Sequence, residues 1–554
     1  MARLLAIIIA AASVACESKQ AGSEISVTLI PDAVDVLATQ SVQFTATVRN
    51  STNTEIVWSL PGTGCGSGAC GTISSAGLYT APEIVPNPAV VTVKAASAAD
   101  PSRAAKATIT LHPMANVWTW VSGSKTANEA GRYGTMGVAA PTNGPGARNL
   151  AVPWIDAGGN LWLFGGSGLD SEGWTGLLND LWKYDTASHE WVWMSGGHTV
   201  EQAGVYGQKG VSAPENVPGA RGGAVSWVGS DGKFWLFGGN GFVGPNIYGD
   251  LNDLWSYDPG SNEWTWIAGS NVRFQPGTYR TKGIADPSNT PGARWLAVSW
   301  ADPDGKLWLF GGEGYDSVGT EADQLNDLWK FDPATLEWTW ISGSNTSDQL
   351  GRYGTKGSPD ILSIPGARSG ASPWVDPQGN LWLFGGWGWG AEPSYIPGVL
   401  NDLWRFDRTT LEWTWISGSD ILNQPGSYGT KGTPSASNVP GGREWSYSWI
   451  DTSGNFWLFA GYGYYAGAMA GGFLNDLWKY DPSTFVWTWL SGSSEESRPG
   501  DYGTQGAVAL TNVPGARNSG LIWVGSEGVW LFGGHGFYAE SLDGYLNDLW
   551  WYIW

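Results

Sequence analysis

Leu381-Trp-Leu-Phe-Gly-Gly386, Leu400-Asn-Asp-Leu-Trp-Arg-Phe-Asp407 and Trp413-Thr-Trp415, with Pro365-Gly-Ala-Arg368 ahead of them, are the segments on which the reading of this chain turns. Each is a short run rich in tryptophan and aliphatic residues, bounded by glycine, aspartate or proline, as half-buried strands are. The same four segments recur six times between residues 114 and 554. Trp-x-Trp begins at Trp118, Trp191, Trp264, Trp338, Trp413 and Trp487. Pro-Gly-Ala/Gly-Arg ends at Arg148, Arg221, Arg294, Arg368, Arg443 and Arg517, at spacings of 73, 73, 74, 75 and 74 residues. Leu-Asn-Asp-Leu-Trp carries Asp180, Asp253, Asp327, Asp402, Asp476 and Asp548. Leu-Phe-Gly-Gly recurs with Phe164, Phe237, Phe310, Phe384 and Phe532, and only the fifth copy departs, with Ala460 for the first glycine. A period this regular marks a repeat architecture.

Four strands per copy, joined in order and repeated radially, predict a β-propeller, which protects its sheet edges by closing on itself. The first Trp-x-Trp precedes any complete copy and the last copy lacks one. The N-terminal strand is therefore expected to complete the final blade, giving six blades. The double glycine, the Tyr/Phe-Asp before a turn and the following tryptophan resemble the kelch repeat over about 440 residues. The resemblance implies a galactose-oxidase-like central domain fold. The fold expectation is thus all-β: a six-bladed kelch-type propeller closed by an N-terminal strand, preceded by a second small β domain.

That second domain spans 24–112. Ile25–Ile30, Val42–Val48, Ile56–Leu60, Val90–Val93 and Ala107–Leu111 alternate with period two between turns, the pattern of a β-sandwich. The stretch from Val57 to Pro82 resembles bacterial Ig-like domains, which act as spacers or adhesion modules. Residues 1–16 have a basic start, an apolar run from Leu4 to Ala12 and small residues before Cys16, the parts of a secretory signal. Ser13-Val-Ala-Cys16 resembles a bacterial lipobox, which implies lipidation at Cys16; Ser13 and Ala15 equally fit ordinary signal cleavage. Residues 17–23 read as a polar tether. In an exported chain Cys65 and Cys70 read as a disulfide loop, with a reduced pair in a turn as the alternative. The localisation expected is an outer-membrane or cell-surface lipoprotein, otherwise secreted or periplasmic.

Composition narrows function. The formal net charge is −21, with 29 basic against 50 acidic residues, which repels phosphate backbones, so no nucleic-acid partner is expected. No apolar run after residue 16 reaches bilayer length, so contact with a membrane would run only through the lipid anchor. Copper-radical galactose oxidases, which share the fold implied here, need a cysteine cross-linked to tyrosine and two histidines on copper. All three cysteines lie before residue 71, and the propeller histidines are His189, His198 and His535, so that activity is predicted absent. No metal site is assigned, calcium has no regular ligand spacing to support it, and no cofactor is predicted.

The Arg and Asp at fixed repeat positions (Arg148, Arg221, Arg294, Arg368, Arg443, Arg517; Asp180, Asp253, Asp327, Asp402, Asp476, Asp548) read as structural ion pairs or caps, with an anion-binding arginine ring as the alternative. Specificity is expected where the copies differ, in the connections between second and third strands. There Trp174, Phe242, Tyr315, Trp387, Trp389, Tyr395, Tyr462, Tyr464, Tyr465, Phe537 and Tyr538 lie near Asp170, Asp316, Glu392 and Glu540. Aromatic faces beside carboxylates suit sugar rings. The function expected is an exported, surface-associated binding protein whose long-loop face takes a glycan or a protein. The alternatives are a carbohydrate-active enzyme (hydrolase or epimerase type) using carboxylates on that face, and a structural envelope or adhesion component.

Overall fold

The computed structural model describes residues 24–62, 65, 68–394, 396–540 and 542–554. The signal segment, Cys16, the tether and Tyr395 lie outside the described residues. Those described form strands and turns with no α-helix, and the chain divides into two compact units after Ala115.

In the first unit Ala33–Leu37 runs parallel to Ala104–His112, which pairs with Val90–Ser97 and through it with Ile56–Ser59. Two smaller sheets complete it: Ser26–Ile30 with Thr45–Arg49, and Ser41–Gln43 with Leu78–Thr80 and Thr72–Ile73. Alternate residues point into a core of Phe44, Tyr79, Val91, Val93, Ile109 and Leu111, with Trp58 packed at its margin. A disulfide joins Cys65 and Cys70, and the Tyr79 hydroxyl donates to the Cys70 carbonyl at 2.7 Å.

The second unit is a β-propeller. In the first repeat Val152–Ile155, Leu161–Leu169, Thr175–Asp185 and Glu190–Ser195 pair antiparallel in that order. The same order recurs down the chain, and in the last repeat the outer strand is Val117–Ser122, hydrogen-bonded along Asp543–Ile553 with Trp118 opposite Tyr552 and Trp120 opposite Trp550. Tryptophans and aliphatic residues alternate on both faces of each sheet, so neighbouring repeats bury a shared core. One such core joins the second repeat to the first through Trp154, Phe234, Trp255 and Trp264. Another joins the sixth to the first through Trp523, Phe532, Leu163 and Trp182. The indole of Trp523 also donates to the Trp162 carbonyl at 3.0 Å, joining the sixth repeat to the first.

A closed cycle of main-chain hydrogen bonds surrounds the axis. The amide of Leu150 donates to Ser519, Ser519 to Trp445, Trp445 to Gly370, Gly370 to Leu296, Leu296 to Gly223, and Gly223 back to Leu150, at 2.8–3.1 Å. Each of the six residues stands two places after a repeat arginine, and each has φ between 53° and 66°. For Leu150, Leu296, Trp445 and Ser519 this left-handed conformation costs about 1–2 kcal/mol apiece, offset by the hydrogen bond it makes possible.

The arginines themselves do not face the channel. Arg294 is buried, with Nη1 and Nη2 donating to Asp327 Oδ1 and Oδ2 at 2.7 and 2.8 Å, Nη1 also to the Gly311 carbonyl and Nε to the Gly292 carbonyl. Asp327 Oδ2 further accepts from the Tyr279 hydroxyl at 2.6 Å and the Trp329 indole at 2.6 Å. All six repeats carry this node. With the guanidinium donors already engaged, an anion-binding arginine ring is excluded. Tyr279 belongs to the long connection between repeats, so the node also pins that loop; Lys282 from the same loop lies 4.2 Å over the Trp340 ring and donates to the Gly343 carbonyl.

Replacing Arg294 by Met should strand the Asp327 carboxylate in the core and lower stability by about 3–5 kcal/mol. Arg103→Met, which breaks an exposed pair with Glu24, should cost less than about 1 kcal/mol. Urea denaturation of the two variants checks the contrast.

Candidate functional site at the propeller axis

The double glycine turns each second strand out of the main sheet. Gly311 and Gly312 have φ of 62° and 95°, and a Cβ on Gly311 would stand 2.6 Å from the Arg368 carbonyl of the next repeat. In the fifth repeat Ala460 occupies this position at φ 61°. Beyond the turn the chain does not loop freely, as the sequence suggested. It continues as a hairpin: Leu307–Tyr315 stays paired with Ala322–Asp332, and Phe456–Gly463 with Gly472–Asp481. The residue pair beginning with each repeat arginine adds a short third strand, so Trp295 faces Glu313, Ser369 faces Trp387, Glu444 faces Tyr462 and Asn518 faces His535.

These cross-strand pairs surround the axis and line a cavity of about 620 Å³, together with Leu150, Leu296, Trp445 and Phe473. Its size lies in the range of small-molecule sites. Tyr462 and Phe473 meet edge to face at 5.5 Å, and Phe473 lies 5.5 Å from the His535 ring. Two carboxyls enter this aromatic setting. Glu444 is 7% exposed, and burial pushes its carboxyl up to about 8, with the Glu313 carboxylate adding to the effect. Burial also raises Glu313, against an indole hydrogen bond from Trp295 that holds it down. Burial lowers His535. Among the described residues Glu444 has no side-chain hydrogen-bond partner, and the Trp445 Nε1 is likewise buried without one.

Of the residues expected to bind ligand, Trp387 and Tyr462 line this cavity. Others build the hairpins instead. Asp170 is 1% exposed and accepts from the amides of Glu172, Trp174 and Val200; Asp316 accepts from those of Val318, Gly319 and Ser347. Both are corrected from ligand contacts to loop caps, because backbone donors already hold their carboxylates. Phe242 is corrected as well: it is buried beneath Tyr248 at 5.3 Å. Trp389 donates to Asp348 at 2.8 Å, Tyr315 packs on Phe274 at 5.4 Å, and the Tyr465 hydroxyl bonds to Glu496. Tyr464, Phe537 and Tyr538 are half-buried, whereas Glu392, Glu540 and Trp174, the last 67% exposed, stand in solvent away from the axis. Trp295, Glu313, Glu444, Trp445, Phe473 and His535 were not singled out from sequence. Among the described residues no cluster of His, Cys, Asp or Glu is arranged to hold a metal ion.

No family model matches the chain, and no curated protein matches it significantly. Solved structures similar to it include YjhT, at 15% identity and a TM-score of 0.43 over 74% of this chain and 95% of that one. A fungal alcohol oxidase in complex with copper is 12% identical, with a TM-score of 0.39, over 76% of this chain and 77% of its own. A Bacteroides thetaiotaomicron protein of unknown function is 10% identical, TM-score 0.39, over 96% and 98%. At these values none of the three bears on the activity of this chain.

Glu444 makes the site sensitive to pH. A carboxyl raised from 4.5 to about 8 favours the folded state while it is neutral. That contribution is complete below the unfolded value and is lost as pH rises through about 8. Stability should therefore fall between about pH 5 and pH 9. Glu444→Gln should flatten that fall and exceed wild type at pH 9 by more than about 1 kcal/mol, as measured by denaturation across the pH series.

Proposed function

We propose that the chain is an exported, surface-associated binding protein in which an Ig-like domain carries a six-bladed kelch-type propeller, and that the propeller binds a glycan in the cavity at its axis. The closed cycle of six amide–carbonyl bonds supports the blade count. The small-sheet sandwich pattern of residues 24–112 supports the Ig-like reading, and the sequence before residue 24 supports export with a lipid anchor at Cys16. The observation that carries the function is the cavity wall: Trp295, Trp387, Trp445 and Tyr462 surround two carboxyls. Aromatic faces stack on the C–H faces of pyranose rings while carboxyls accept from hydroxyls, and both are needed for affinity in water.

A second reading, hydrolysis or epimerisation of the bound sugar, draws on Glu444. A carboxyl that stays protonated near neutrality can serve as a general acid, with Glu313 as the second carboxyl of the site. Product formation from a glycan panel favours this reading; saturable binding without product favours the binding protein.

Trp387→Ala and Trp445→Ala in the full chain should each weaken glycan binding at least about tenfold in calorimetric titration, with little change in melting temperature. Loss of stability with unchanged affinity would place these rings in the core rather than in a site.

A further inference from the structure

We infer that the axial cavity is built for a cationic sugar, a protonated amino sugar whose ammonium group sits on Glu444 and Glu313 with its ring against the tryptophans. The inference rests on the glycan reading and narrows it to a ligand class. No Lys or Arg lines the cavity. The nearest arginines in sequence, Arg294 and Arg443, spend their charge on Asp327 and Asp476 in the core. The titratable groups around Glu444 are Glu313, His535 and Glu444's own cross-strand neighbour Tyr462, with Asp250 and Asp323 acting in turn on Glu313. Two carboxyls share the cavity, and Glu444, more than nine-tenths buried, has no donor among the described residues.

With no protein donor on it, the Glu444 carboxyl takes its hydrogen bonds from whatever fills the cavity, and in a cavity of ligand size a bound ligand can be that donor. A neutral hydroxyl would satisfy one lone pair. An ammonium supplies several donors and the charge that two adjacent carboxyls lack. Trp295, Trp387 and Trp445 add aromatic rings to the wall, and these also favour a cation. Neither the carboxyl pair nor the aromatic wall selects an anionic or N-acylated sugar, which has no positive charge to offer.

The test titrates the full chain at pH 6.5, where the amine is protonated, with four probes: a glucosamine trimer, its N-acetylated counterpart, a glucose trimer and tetramethylammonium. The expected result is binding of the amino trimer at least about tenfold tighter than either neutral trimer, with proton release seen as a heat that depends on the buffer. Glu444→Gln should remove both the preference and the proton release, so that the amino trimer binds no tighter than the glucose trimer does to the same variant. Equal binding of all three trimers overturns the cation inference and leaves the glycan reading standing. Binding of tetramethylammonium but of no sugar overturns the glycan reading and keeps the cation site. No binding by any of the four probes overturns both.

Discussion

The propeller depends on one buried interaction made six times: a guanidinium held bidentate by a carboxylate that also accepts from a tyrosine and an indole. In the third repeat Arg294, Asp327, Tyr279 and Trp329 bring four pieces of chain to one point. These are the short strand that Arg294 begins, the strand Ala322–Asp332, the long connection, and the double glycine through the Gly311 carbonyl. A buried ion pair is no guarantee of net stability against an apolar replacement of equal shape, but removing one partner is severe, since it leaves a charge with no solvent. The node therefore acts chiefly on register. Only one alignment of the strands satisfies every donor and acceptor, and that alignment is imposed afresh in each repeat.

Function follows from what stands beside the node. The residue after each arginine and the residue after each glycine pair are cross-strand neighbours at the axis. Neither takes part in the node, so both are free to differ between repeats. Glu313, Trp387, Tyr462 and His535 occupy the same place in successive repeats, as do Trp295, Ser369, Glu444 and Asn518. Constancy at the node and variation next to it together produce a rigid cavity with an irregular, aromatic and acidic lining.

The fold was largely legible because the repeat spells it out. Tryptophan spacing marks the strands, Arg and Asp recur at fixed places, and the unpaired Trp118-Thr-Trp120 announces the strand that Asp543–Ile553 receives. The site was less legible. The connections after the double glycine read as loops because glycine interrupts their alternation, yet they pair as hairpins. Within them Asp170, Asp316 and Phe242 serve turns and packing, which composition does not distinguish from ligand contact. A usable signal was nevertheless present. Once the tryptophans common to every repeat are set aside, few remain, and Trp295, Trp387 and Trp445 are among them. In a repetitive protein the residues that break the pattern carry more information about function than the richest loops do.

Native-state hydrogen exchange tests the central claim most directly, read at the amides of Leu150, Gly223, Leu296, Gly370, Trp445 and Ser519. If the nodes hold a closed ring, these six amides should exchange with one common free energy, and Asp402→Asn in a single node should lower it for all six together. Separate energies for the six amides, or acceleration confined to Gly370 and its immediate neighbours, would contradict a ring held as a unit.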